Sequence, residues 1–178
     1  GHRRLLEATV LVATAGGLAV GASRWAAVVP VALVLGALVH TARGLDGWSW
    51  YHGRLAEVGE ELRADPSVQR VAAFDIGRLG WAFDRSILDI AGLTDGHIAH
   101  LPGRYAHKDL DEAYFRSQAP DVVLLTSTTD PTVEDPSLIT AEQAVYDSVV
   151  TGGYQLAEVR RVGGDWLMIW RREARKIP

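Results

Sequence analysis

Charge is almost absent from the first quarter of the chain, and that constrains the fold more than any motif does. Ala8–Ser23 is a run of 16 residues without a charged side chain and Trp25–Ala42 is a second of 18, with Arg24 alone between them. A bilayer-spanning helix needs about 20 mostly apolar residues, with a lower limit near 17. One continuous helix from Leu5 to Ala42 would be roughly 57 Å long at about 1.5 Å per residue, too long for one crossing. It would also place Arg24 in mid-bilayer at high cost. A hairpin turning at Gly21-Ala22-Ser23-Arg24 removes both problems, and small residues such as Ala13, Gly16 and Gly17 let two helices approach closely. Pro30 is expected to kink the second helix. Neither run has the polar face of a surface helix, so residues 1–43 read as a transmembrane hairpin with membrane lipid as their partner. A signal peptide fits the first run less well, because a second apolar run follows at once.

The remainder is of a different kind. Residues 1–43 hold four Arg and one Glu, whereas 44–178 hold 14 Lys and Arg against 21 Asp and Glu, a net of −7. An acidic domain without a basic stripe argues against nucleic acid as a partner. The absence of Cys excludes disulfides, thiolate metal sites and a thiol nucleophile. The chain opens Gly1-His2-Arg3-Arg4 without Met, which reads as a fragment. Few basic residues follow Arg43, which favours an extracytoplasmic position for 44–178.

Within 44–178, Gly44–Trp50 reads as a connector, with Trp48, Trp50 and Tyr51 as an interfacial aromatic belt. His52–Ala64 has Leu55, Val58 and Leu62 at helical spacing and stops at Asp65-Pro66. Arg70–Phe74 and Ser86–Ile90 read as strands, each ending at an Asp and a turn. Leu110–Ser117 reads as a helix, and Asp121–Thr126 as a strand buried on both faces. Thr140 is expected to cap the following helix, with Gln143 three residues on. Tyr154–Val162 and Trp166–Arg172 form a hairpin across Gly163-Gly164-Asp165. The alternation predicts an α/β domain: a small mixed sheet with flanking helices.

The stretch Phe74–His100 holds most residues that can carry chemistry. Asp75, Asp89 and Asp95 lie at strand ends or turns, where α/β proteins gather ligands, although capping turns is the commoner use of Asp. Gly77 and Gly92 permit tight turns. His97 and His100 share a helical spacing with His107 further on, but the set has no recognised zinc spacing. A soluble enzyme with a His/Asp metal site is therefore a minor reading, and no metal is expected. Asp75-Ile76-Gly77-Arg78-Leu79-Gly80 lacks both the dinucleotide and the P-loop order.

Taken together, Asp75-x-Gly77-x-x-Gly80, then Asp89-x-x-Gly92-Leu93-x-Asp95, Ile98-Ala99 and Pro120-Asp121-Val122-Val123 behind two apolar runs resemble the C-terminal extracytoplasmic region of GT-C type membrane glycosyltransferases. The resemblance covers roughly residues 5–130. It implies a multi-pass membrane enzyme that passes a sugar from a polyprenyl-phosphate donor to a cell-envelope glycan acceptor. The catalytic carboxylates of such enzymes lie in an early loop that nothing here matches, so no catalytic residue is assigned and no cofactor is expected in this part. Asp75, Gly77, Asp89, Gly92, Asp95, His97 and His100 are acceptor-side candidates, and the resemblance makes Trp81 and Tyr105 candidates for stacking on a sugar face, with core packing the commoner role of such rings. The competing reading is a membrane-anchored extracytoplasmic binding or sensor domain without enzymatic activity.

Overall fold

The computed structural model describes residues 28–173, with the side chains of 28–30 and 40–50 outside the description. The chain divides into two units between Ser49 and Trp50. The first run, Ala8–Ser23, and the expected turn at Gly21–Arg24 lie outside the described residues. The first unit shows helical backbone from Val28, and Val31, Leu35 and Leu38 are exposed on it. Among the described residues, no helix is long and apolar enough to cross a membrane.

Helix α1 spans Val28–Ala64, which corrects the expected connector at Gly44–Trp50. Two glycines in seven residues suggested a break, at about 1 kcal/mol each. Helix propagation is cooperative, so running through costs less than ending one helix and nucleating another.

The second unit is a five-stranded mixed sheet between two helical layers. The elements are β1 (Arg70–Ala73), α2 (Gly77–Phe83), β2 (Ser86–Asp89), α3 (Gly96–Ala99), α4 (Glu112–Gln118), β3 (Val122–Ser127), α5 (Thr140–Thr151), β4 (Tyr154–Val162) and β5 (Asp165–Arg172). The strand order is β2-β1-β3-β5-β4. Strand β1 pairs in parallel with β2 and β3, and β5 runs antiparallel to β3 and β4. The hairpin and the three other expected strands, of which Asp121–Thr126 alone is expected to be buried on both faces, hold to within one residue at every end.

Alternation along the strands builds two cores. Val71, Val122, Leu124 and Ile169 face one side, where Leu55, Val58 and Leu62 of α1 and Leu79 and Phe83 of α2 close over them. Ala72, Val123, Leu125 and Met168 face the other, against Ile98, Phe115, Val145 and Val149. Successive strand residues point to opposite faces, so a sheet covered on both sides needs unbroken apolar runs. Val122-Val123-Leu124-Leu125 is such a run.

Helix α2 is a departure from the expected turn after Asp75-Ile76-Gly77. Its N-cap, Ile76, makes no side-chain cap bond, so the usual start signal is missing from the sequence. Burial of Leu79, Ala82 and Phe83 at helical spacing holds it instead. Thr140 is also not a cap: Ile139 occupies that position and Thr140 is the first helical residue. The Thr140 hydroxyl is 2.8 Å from His107 Nδ1.

The contact between α1 and α2 depends on Gly59. A Cβ there would lie 2.8 Å from the Leu79 carbonyl oxygen and 2.9 Å from Ala82 Cβ. Neither neighbour is a flexible side-chain end, so a helix must move. Gly59→Ala should therefore destabilise the domain by about 1–3 kcal/mol, despite the better helix propensity of Ala. Chemical denaturation of the two proteins measures the difference.

Candidate functional site

In sheets with parallel strands, ligands collect beyond the strand carboxyl ends, where successive connections leave in opposite directions. Here β2 lies on one side of β1 and β3 on the other, so that point falls between β1 and β3. The residues that follow these strands are Phe74 and Asp75 after β1, and the β3 end itself carries Thr126 and Ser127.

Tyr51 of α1 closes this crevice from one side. Its hydroxyl donates to Asp75 Oδ2 at 2.7 Å and lies 3.5 Å from Thr126 Oγ1. Burial pushes the Tyr51 phenol well above its ordinary range, and the negative charges of Asp75 and Glu142 add to the effect. The phenol thus stays protonated and serves as a permanent donor. This replaces the expected place of Tyr51 in an interfacial belt. Thr126 is held from behind: its amide donates to Glu142 Oε1 at 2.8 Å. Glu142 is 2 % exposed, and burial raises its carboxyl to about 7, with Asp75 contributing.

Tyr105 lies over the same strand ends. Its ring packs on Phe74 with centroids 5.4 Å apart, and its phenol is pushed up by burial first and by the charges of Asp75 and Asp89 next. The ring is nevertheless 53 % exposed, and Trp81 on α2 is 89 % exposed. Neither is a core residue, contrary to the ordinary role of such rings.

Asp89 and Asp95 are committed to hydrogen bonds within the fold. Asp89 is fully buried. Its Oδ1 accepts the Ala91 amide at 3.0 Å, and its Oδ2 accepts the Thr94 amide at 2.7 Å and the Thr94 hydroxyl at 3.1 Å. Gly92 completes the turn with φ +74°, and a Cβ there would meet the Ala99 amide at 2.9 Å. The Asp-x-x-Gly spacing thus serves a tight turn between β2 and α3. Asp95 caps α3 by accepting the Ile98 amide at 2.9 Å, and its other oxygen accepts the Tyr114 hydroxyl at 2.8 Å. Gly77 is the first residue of α2, with open space where a Cβ would stand.

The histidines do not converge. His97 stacks on Tyr114 with centroids 3.8 Å apart. His100 places Nδ1 2.6 Å from the Gly96 carbonyl oxygen, and His107 is turned to Thr140. Among the described residues, no group of three His, Asp or Glu side chains is placed to hold a metal ion.

A cavity of about 1100 Å³ opens at the opposite end of the sheet, between the start of β1, the start of β3 and the end of β5. Its three arginines are each paired: Arg116 with Glu112, Arg171 with Asp65, and Arg172 with Asp121. It shares no residue with the Tyr51–Asp75 crevice.

Residues 46–172 match the family model described as Domain of unknown function (DUF8728). The chain belongs to this DUF8728 family. No curated protein and no solved structure matches it. In this DUF8728 domain, Tyr51, Thr126 and Glu142 are site residues that sequence reasoning passed over. Glu142 carried a signal: it shares a helical face with Val145 and Val149, all buried, so an acid sits where the pattern calls for an apolar residue. Tyr51 and Thr126 carried none, since only the sheet brings α1 and β3 together at Asp75.

Asp89→Ala should cost about 1–3 kcal/mol of stability, because the buried Ala91 amide and the part-buried Thr94 amide and hydroxyl lose their acceptor. Asp89→Asn should recover only part of this, since its amide nitrogen cannot accept from Thr94. Thermal unfolding of both variants checks the order.

Proposed function

We propose that this DUF8728 chain is the C-terminal, non-catalytic part of a membrane glycosyltransferase that uses a polyprenyl-phosphate sugar donor, with its sheet domain on the extracytoplasmic side binding the cell-envelope glycan acceptor. One observation carries the reading: the half-exposed Tyr105 ring beside Asp75 at the strand carboxyl ends. A sugar presents a C–H face and a rim of hydroxyl donors. An exposed aromatic ring offers the first an apolar platform, and a half-buried carboxylate accepts hydrogen bonds from the second. Trp81 offers another exposed ring. Asp89, Asp95, His97 and His100 support the loops around this surface, and Asp75 is the acid at its centre. The exposed apolar side chains between Val31 and Val39 support lipid as a partner for the preceding segment, in keeping with a transmembrane hairpin over residues 1–43.

A second reading, an anchored binding or sensor module without enzymatic activity, is favoured by the commitment of Asp89 and Asp95 to hydrogen bonds within the fold. The first reading requires glycan binding, whereas the second leaves the class of ligand open. They differ in cells, where transferase activity depends on Tyr105 in the first and is indifferent to it in the second.

The chain in lipid nanodiscs, titrated calorimetrically with arabinan and mannan oligosaccharides, should bind one of them. Tyr105→Ala should weaken binding about ten-fold, the equivalent of roughly 1.4 kcal/mol of ring contact, whereas Tyr105→Phe should not. No binding to either glycan at millimolar concentration would remove the reading.

A further inference from the structure

Glu142 is buried among acids and a neutral phenol. Asp75 faces it from the β1–α2 loop, Asp165 from the start of β5 and Tyr51 from α1. Among the described residues, neither Glu142 nor Asp75 takes part in an ion pair with Lys or Arg. The Thr126 amide donates to Glu142 Oε1 at 2.8 Å, and Glu142 is the third helical residue of α5, behind its N-cap Ile139. One side chain therefore fastens the end of β3 to the first turn of α5. Thr126 lies beside the Tyr51–Asp75 bond, so the fastening extends to the rim of the crevice.

We propose that Glu142 is a proton-operated clamp: with its carboxyl protonated it holds α5 to β3 without strain, and ionisation leaves an uncompensated buried charge that loosens the α5 start and the Thr126–Tyr51–Asp75 rim. The inference stands without the glycan reading. Burial, first, and the neighbouring Asp75 favour the neutral form of Glu142 over the pull of the Thr126 amide, which favours the charged one, and the value of about 7 places the change near neutral pH. The folded form then holds the proton more tightly than the unfolded one. The stabilisation is fully present below the ordinary Glu range and is lost as pH rises through about 7.

The test uses the intact chain in detergent micelles, with no glycan present. Carbon-13 NMR should give Glu142 a carboxyl midpoint near neutrality, and Asp75→Asn should move that midpoint to lower pH. Thermal unfolding from pH 5 to 8.5 should show Glu142→Gln close to wild type at pH 5 and several degrees more stable at pH 8, since Gln keeps the acceptor and drops the charge. Exchange of the Thr126 amide, corrected for the intrinsic rate, should rise about ten-fold over this range in wild type only. An ordinary Glu midpoint, or a Glu142→Gln protein less stable by the same amount at every pH, would overturn the proposal. Should Glu142→Gln fail to fold, the wild-type titration and the Asp75→Asn shift decide it.

Discussion

Strand β3 has to be apolar on both faces at once, and the domain is built around that requirement. Val122 and Leu124 meet the layer of α1 and α2, while Val123 and Leu125 meet the layer of α4 and α5. Burying such a run is worth of order 25 cal/mol per Å² of apolar surface. The gain is realised only if neighbouring strands satisfy the backbone of β3 along its length. Asp121, just ahead of β3, sets that register. Its Oδ2 accepts the Gln69 amide at 2.8 Å and the Arg70 amide at 3.0 Å, its own amide donates to the Arg70 carbonyl at 2.8 Å, and its Oδ1 pairs with Arg172. One carboxylate thereby aligns the start of β1 and the end of β5 on the central strand.

That alignment decides where chemistry can occur. With β1 and β3 parallel and in register, Asp75 and Thr126 emerge at the same end, and α1 brings Tyr51 down onto both. At the other end, the carboxylates are engaged in aligning strands and pairing arginines. The division explains why the large cavity there and the small polar crevice differ in character. The first is lined by paired charges, whereas the second holds acids that, among the described residues, form no ion pair with Lys or Arg, and an exposed ring above them. Glu142 belongs to both the fold and the crevice, because its bond from the Thr126 amide joins α5 to the end of β3 and supports the rim. A group in that position ties the stability of the sheet to the ionisation of its edge.

The sequence by itself determined the layer arrangement. Apolar runs over Arg70–Phe74 and Asp121–Thr126, the Leu55/Val58/Leu62 spacing and the glycine-marked hairpin each encode their element locally, through side-chain period and turn chemistry. Capping, the commoner use of Asp, is the role Asp89 and Asp95 take, through bonds that span only a few residues. Helix α2 and the unbroken course of α1 were not legible. The first lacks a capping side chain, and the second depends on cooperative propagation through residues that break helices in isolation. The crevice itself was decided by tertiary structure alone. Tyr51, Asp75, Thr126 and Glu142 are up to 91 positions apart, and no local pattern specifies that they meet. Their proximity follows from strand order and register. Those are global properties, fixed by which arrangement buries both faces of β3 while leaving no backbone donor unpaired.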